Sequence, residues 1–174
     1  SHILILLKMK ILICLRGWSG FDITTSMNDR KKTMADKATG QCLCGTVKYE
    51  ITIPEKPLYS GLCHCKDCQR YTGTAFASSL MVPKADVTIE GGLKFYGKDT
   101  DRGTFMERGF CPDCGSNVLC RSSDWDDQYV MSAGTLDDAS VYKPQINIFT
   151  RSAHAHALNA GKLHQFEGFP ESGE

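Results

Sequence analysis

Cysteine spacing constrains this chain more than any other feature. Nine cysteines occur in 174 residues, and eight of them lie between Cys42 and Cys120. They gather into three short motifs: Cys42-Leu43-Cys44-Gly45, Cys63-His64-Cys65-Lys66-Asp67-Cys68 and Cys111-Pro112-Asp113-Cys114-Gly115. Paired short spacings of this kind are metal-ligand spacings, whereas a disulfide framework has no need of them and sits awkwardly with an odd total. In a C-x-x-C turn ending in glycine, two thiolates converge and backbone N–H groups point at the sulfurs. The glycine permits the tight, positive-φ backbone that this requires. In a C-x-C unit, extended backbone puts both side chains on one face.

Ligand counting divides these cysteines. A structural zinc takes four protein ligands, and a catalytic zinc takes three and keeps one position open. Cys42, Cys44, Cys111 and Cys114 form two pairs, the usual make-up of a closed site between distant segments. Cys63, Cys65 and Cys68 form a local triad without a fourth thiolate. His64 could complete the triad, but in an extended C-H-C unit it points away from its neighbours. Cys120 could also do so, yet it lies in the apolar stretch Val118-Leu119-Cys120 and reads as a small buried hydrophobe. Cys14 reads as irrelevant to either site.

The rest of the body is β-patterned. Val47, Tyr49, Ile51 and Ile53 alternate with polar residues up to Pro54, which predicts a half-buried strand. Further strands are predicted at 76–82, 87–89, 93–96, 104–110, 117–121, 128–133 and 145–150, with Gly91-Gly92 as a turn between two of them. Helix is confined to about 66–71 and 153–158. Many short strands with Gly and Pro punctuation make the fold mainly β.

Charge narrows the partners. The formal net charge is zero and the hydrophobic content 41%, an ordinary globular composition. From Ala35 onward, 14 Lys and Arg stand against 18 Asp and Glu. A mildly acidic body argues against nucleic-acid binding, which calls for a basic face. The apolar stretch 3–15 is too short, and too broken by Lys8 and Lys10, to span a membrane, and it lacks a signal-peptide cleavage site. With Ser1-His2 ahead of it, it reads as a vector-derived or otherwise non-native extension, with Met34 or Met27 as the natural start. The alternative is an extra strand that pairs with a neighbour. Residues 19–40 read as a linker. The expected organisation is therefore an extension and linker at 1–39, a zinc-binding domain at 40–170 and a tail at 171–174.

Three stretches, GQCLCGTVKYE, LCHCKDCQRYTGTAF and RGFCPDCGSNVL, occur in an order that resembles the glutathione-dependent formaldehyde-activating enzyme family. That family also includes centromere protein V, and the resemblance runs from about Gly40 to Pro170. It implies a β-tent type fold of short antiparallel strands with two zinc ions. It implies a structural zinc on Cys42, Cys44, Cys111 and Cys114 and a catalytic zinc on Cys63, Cys65 and Cys68. One departure stands out. Family members often carry Pro-Trp near the C-terminus, and the corresponding stretch here, Arg151 to Ala157, has neither. That departure points to a different substrate preference.

The implied reaction is a reversible carbon–sulfur lyase step that joins glutathione, the implied co-substrate, to formaldehyde or another small aldehyde. A zinc-bound thiolate would add to the carbonyl. Three candidate anchors for the carboxylates of such a thiol are Lys66, Arg70 and Arg108, each also readable as an ordinary surface charge. His154 and His156 are candidate acids or bases near neutral pH, also readable as surface histidines. The run Asp124-Trp125-Asp126-Asp127 reads as a solvated turn. The competing class is a non-catalytic zinc module for a protein partner, whose triad metal would be capped by a fourth protein ligand. Small-molecule partners, no membrane, and a cytoplasmic or nuclear location are expected; the sequence leaves oligomeric state open.

Overall fold

The computed structural model describes residues 36–158, all within the unit that begins at Thr33. The readings made above for the apolar stretch, Cys14, Met27 and Met34, and for the tail lie outside the described residues. The fold is mainly β, as expected. Two sheets carry it. The smaller joins β1 (Asp36–Gln41), β2 (Lys48–Ile53) and β5 (Val87–Glu90) in the order β1-β2-β5. The larger has seven strands in the order β10-β3-β4-β9-β8-β7-β6. These are β3 (Ser60–Cys63), β4 (Ala77–Pro83), β6 (Lys94–Asp99), β7 (Phe105–Phe110), β8 (Asn117–Ser122), β9 (Gln128–Ser132) and β10 (Ile146–Ile148). Every pairing is antiparallel except β10 with β3. Two short helices complete the described chain, α1 (Lys66–Thr72) and α2 (Ala155–Leu158). No described helix is long and apolar enough to cross a membrane.

Alternation explains the core. Tyr49, Ile51 and Ile53 of β2 are buried while Lys48 and Glu50, which alternate with them, are exposed. With Val47 they pack against Leu80 and Val82 of β4, Val118 and Leu119 of β8, and Met131 of β9. Removing side chains of this size from water stabilises a fold by about 1.5–3 kcal/mol each.

Three local readings differ from the sequence expectation. The stretch read as linker up to Gly40 contributes β1, paired along its length with β2. It carries no apolar alternation to announce itself: Ala38 is its only buried hydrophobic residue. Gly40 is there because a side chain would collide with the Tyr49 ring and the Thr135 carbonyl. Second, Gly91-Gly92 is not a hairpin turn. The β5 strand pairs with β2 and β6 pairs with β7, so the chain crosses here from one sheet to the other, and Gly91 takes φ 87° against the Thr46 carbonyl. Third, β3 was not anticipated, because four residues that include Gly61 carry too little pattern.

A four-thiol cluster and a three-thiol cleft

The two glycine-ended motifs fold as tight turns that face each other. Cys42 accepts from the Gly45 N–H at its carbonyl (3.0 Å), and Cys111 accepts from Gly115 likewise (2.9 Å). Gly45 and Gly115 take φ of 77° and 74°, the conformation glycine adopts without strain. The second turn follows a bulge between Gly109 and Phe110, which bends β7 just ahead of Cys111. Four thiols converge as a result. The sulfurs of Cys42 and Cys44 are 3.5 Å apart, those of Cys44 and Cys111 are 3.8 Å apart, and Cys114 lies within 4.8 Å of them all. Four sulfurs at 2.3 Å from a tetrahedral zinc are about 3.8 Å from one another, so the donor set fits that ion. Cys42 and Cys111 belong to the hydrophobic core itself.

Electrostatics in this cluster favour charge. Burial pushes the Cys42 thiol up, but the Val47 N–H, 3.2 Å from its sulfur, and the neighbouring thiols bring it below the ordinary value. Cys114 is pulled down to about 5, chiefly by the Ser116 hydroxyl and N–H, while burial lifts Cys111 to about 11. A bound cation would draw all four toward thiolate.

The triad is built differently. Cys63 ends β3, Cys65 is the N-cap of α1, and Cys68 lies in that helix's first turn. The Cys65 sulfur accepts from the Cys68 N–H (3.3 Å), the usual duty of a capping side chain. The three sulfurs lie within 4.8 Å of one another. Hydrogen bonds from the Cys63 and Cys68 thiols hold Cys65 down to about 2, and the same contacts push Cys68 up. Three soft sulfurs around one point, with the helix N-terminus behind them, also suit zinc.

Around the triad opens a cleft of about 1110 Å³. Arg108 lies on its wall. The residue is 6% exposed, and its guanidinium lies 3.4 Å from an Asp67 carboxylate oxygen and 5.8 Å from the Tyr71 ring centre. Lys98 reaches the same carboxylate at 3.0 Å. Lys66 lines the cleft and donates to Gln69 (3.0 Å). Arg70 does not face the triad; it borders a smaller hollow with His154 and His156, whose rings meet edge to face. His64 is turned away from the three sulfurs, 1% exposed, with Nε2 3.1 Å from the Asn147 side chain and its ring against Phe76. Cys120 lines the cleft opposite Arg108 but is outside the triad's cluster.

Gln69 is the residue that sequence reasoning missed. It is buried, and its amide donates to the His64 carbonyl (2.8 Å) and the Ser152 carbonyl (2.9 Å), while its carbonyl receives Lys66 and His154 (3.0 Å each). All of its hydrogen-bonding capacity holds the triad loop to the segment after β10. Nothing in the stretch Cys68-Gln69-Arg70 announces this, because the partners are 83 and 85 residues away. Trp125, read only as part of an acidic turn, also borders the cleft.

A mainly antiparallel β domain with a four-thiol cluster and a three-thiol cluster at a cleft, each able to hold a metal ion, defines a class of thiol-rich protein. The family model described as glutathione-dependent formaldehyde-activating enzyme matches residues 37–152, and the chain belongs to that family. A Schizosaccharomyces pombe protein described as an uncharacterized lyase is 26% identical over 94 residues, 54% of this chain. The match spans 64% of that relative's length. A solved structure of a Rhodobacter sphaeroides protein is 22% identical, with a TM-score of 0.47 over 57% of this chain and 87% of that one.

Proposed function

We propose that this protein is a carbon–sulfur lyase-type enzyme that reversibly joins glutathione, or a related thiol, to formaldehyde or another aldehyde. The reaction would be carried by the domain at 40–170. The observation that supports the reading is the unequal closure of the two clusters. Cys42, Cys44, Cys111 and Cys114 would hold a structural zinc, and Cys63, Cys65 and Cys68 would hold a second zinc beside the cleft. When bound there, zinc would lower the pKa of an incoming thiol and favour its thiolate. The chain's own residues would do the rest. The cleft walls hold the carbonyl within reach of the sulfur. The new bond joins sulfur to the carbonyl carbon, the C=O electron pair moves to oxygen, and oxygen takes up the proton that the thiol released. Arg108 and Lys66, at the cleft, are the better placed anchors for a carboxylate, and Arg70 the worse.

A non-catalytic module is the weaker reading, since the triad borders a cleft and His64 is outside the triad's cluster. The test is metal stoichiometry and coordination followed by turnover. Two zinc ions per chain, one with four sulfurs and one with three, are expected, together with thiol-dependent aldehyde consumption. A fully zinc-loaded protein that turns over no thiol–aldehyde pair would sink the proposal.

A further inference from the structure

The larger sheet lays one row of side chains along the floor of the cleft. Met81 of β4 is paired with Val130 of β9, Val130 with Cys120 of β8, and Cys120 with Arg108 of β7. Residues opposed across antiparallel strands share a face, and all four line the cleft. Neighbouring strands are about 4.8 Å apart, so the row runs about 14 Å from an apolar end to a cationic end. Cys63 is paired with Ala77, which shares a face of β4 with Met81, so the triad opens over the same floor.

The cationic end is incompletely satisfied. A guanidinium offers five N–H groups. Among the described residues Arg108 has one hydrogen-bond acceptor, Asp67, at a long 3.4 Å, and Lys98 already holds that carboxylate more closely, at 3.0 and 3.3 Å. A buried cation with spare donors facing a cleft calls for a second anion. The apolar end has the opposite lack. Formaldehyde carries a single carbon and leaves Val130 and Trp125, both partly exposed on the cleft lining, with nothing to cover.

We propose that the cleft is built for a conjugate of a carboxylate-bearing thiol whose sulfur substituent is a bulky apolar group. Arg108 pairs the carboxylate, and Cys120, Val130 and Met81 take the substituent. The inference rests on the reading of the site as a thiol site, and makes its carbonyl partner a larger aldehyde than formaldehyde.

Calorimetric titration of the zinc-loaded full chain with S-methylglutathione and S-hexylglutathione, stable stand-ins for small and large conjugates, tests it. The hexyl conjugate is expected to bind at least tenfold more tightly, since each buried methylene adds a few-fold. Val130→Asp should erase that advantage. Esterifying the carboxylates of S-hexylglutathione should weaken binding about tenfold with no change to the protein, and Arg108→Gln should weaken both conjugates alike. Equal affinity for the methyl and hexyl conjugates overturns the apolar assignment and leaves the thiol reading standing. Indifference to esterification overturns the role of Arg108. If neither conjugate binds, the thiol reading falls as well.

Discussion

The two cysteine clusters use the same donor atom and are embedded differently. In the four-thiol cluster, Cys42 and Cys111 are core residues, and the turns that carry them join β1 to β2 and β7 to β8. In the triad, Cys63 is buried at the end of β3, and Cys65 and Cys68 are half-buried at the cap and in the first turn of a seven-residue helix beside a cleft. The first cluster replaces part of the hydrophobic core. The second borders a cleft instead. Equal chemistry therefore does not mean equal contribution to folding.

The largest expected effect separates the two directly. Cys111→Ala should leave the protein unfolded, because structural zinc contributes about 10–16 kcal/mol against a domain stability of about 5–15 kcal/mol. Cys65→Ala should give a folded protein with one zinc and no turnover. Circular dichroism and metal analysis of both variants check this, and equal unfolding would erase the distinction. An intermediate effect is expected from Gln69→Ala. It leaves two carbonyls without their donor, at a cost of about 1–3 kcal/mol, and should weaken zinc at the triad while the four-thiol site stays filled. Competition with a chromogenic chelator reads the two affinities separately; loss from both sites together would show that Gln69 supports the fold at large. The smallest effect belongs to Leu43→Ser. Leu43 is 88% exposed between two cysteines of the four-thiol cluster, and its N–H donates to the Ser116 hydroxyl at 2.9 Å. Thermal unfolding should shift stability by less than about 0.5 kcal/mol, with turnover unchanged.

What the sequence made legible was whatever acts locally. The β2 alternation, the helix beginning at Lys66 and the grouping of the seven cysteines follow from spacing along a few residues, and the structure brings the same seven together as two clusters. What stayed hidden depends on distant partners. The β1 strand exists because β2 offers a ladder, and Asp36–Gln41 has almost no apolar residues of its own. Arg108 looked like one cation among several; its burial against Tyr71 and Asp67 depends on α1 lying beside β7. Gln69 was invisible for the same reason.

The separation of the two halves of the closed cluster has a further consequence for the nascent chain. Cys44 and Cys111 are 67 residues apart, and joining such distant points costs about 4 kcal/mol of loop-closure entropy. Cys63, Cys65 and Cys68 span six residues and lie inside that loop. As the ribosome extends the chain, the triad's three sulfurs emerge together, while Cys42 and Cys44 wait for partners not yet translated. The order of synthesis thus completes the three-thiol set before the four-thiol one.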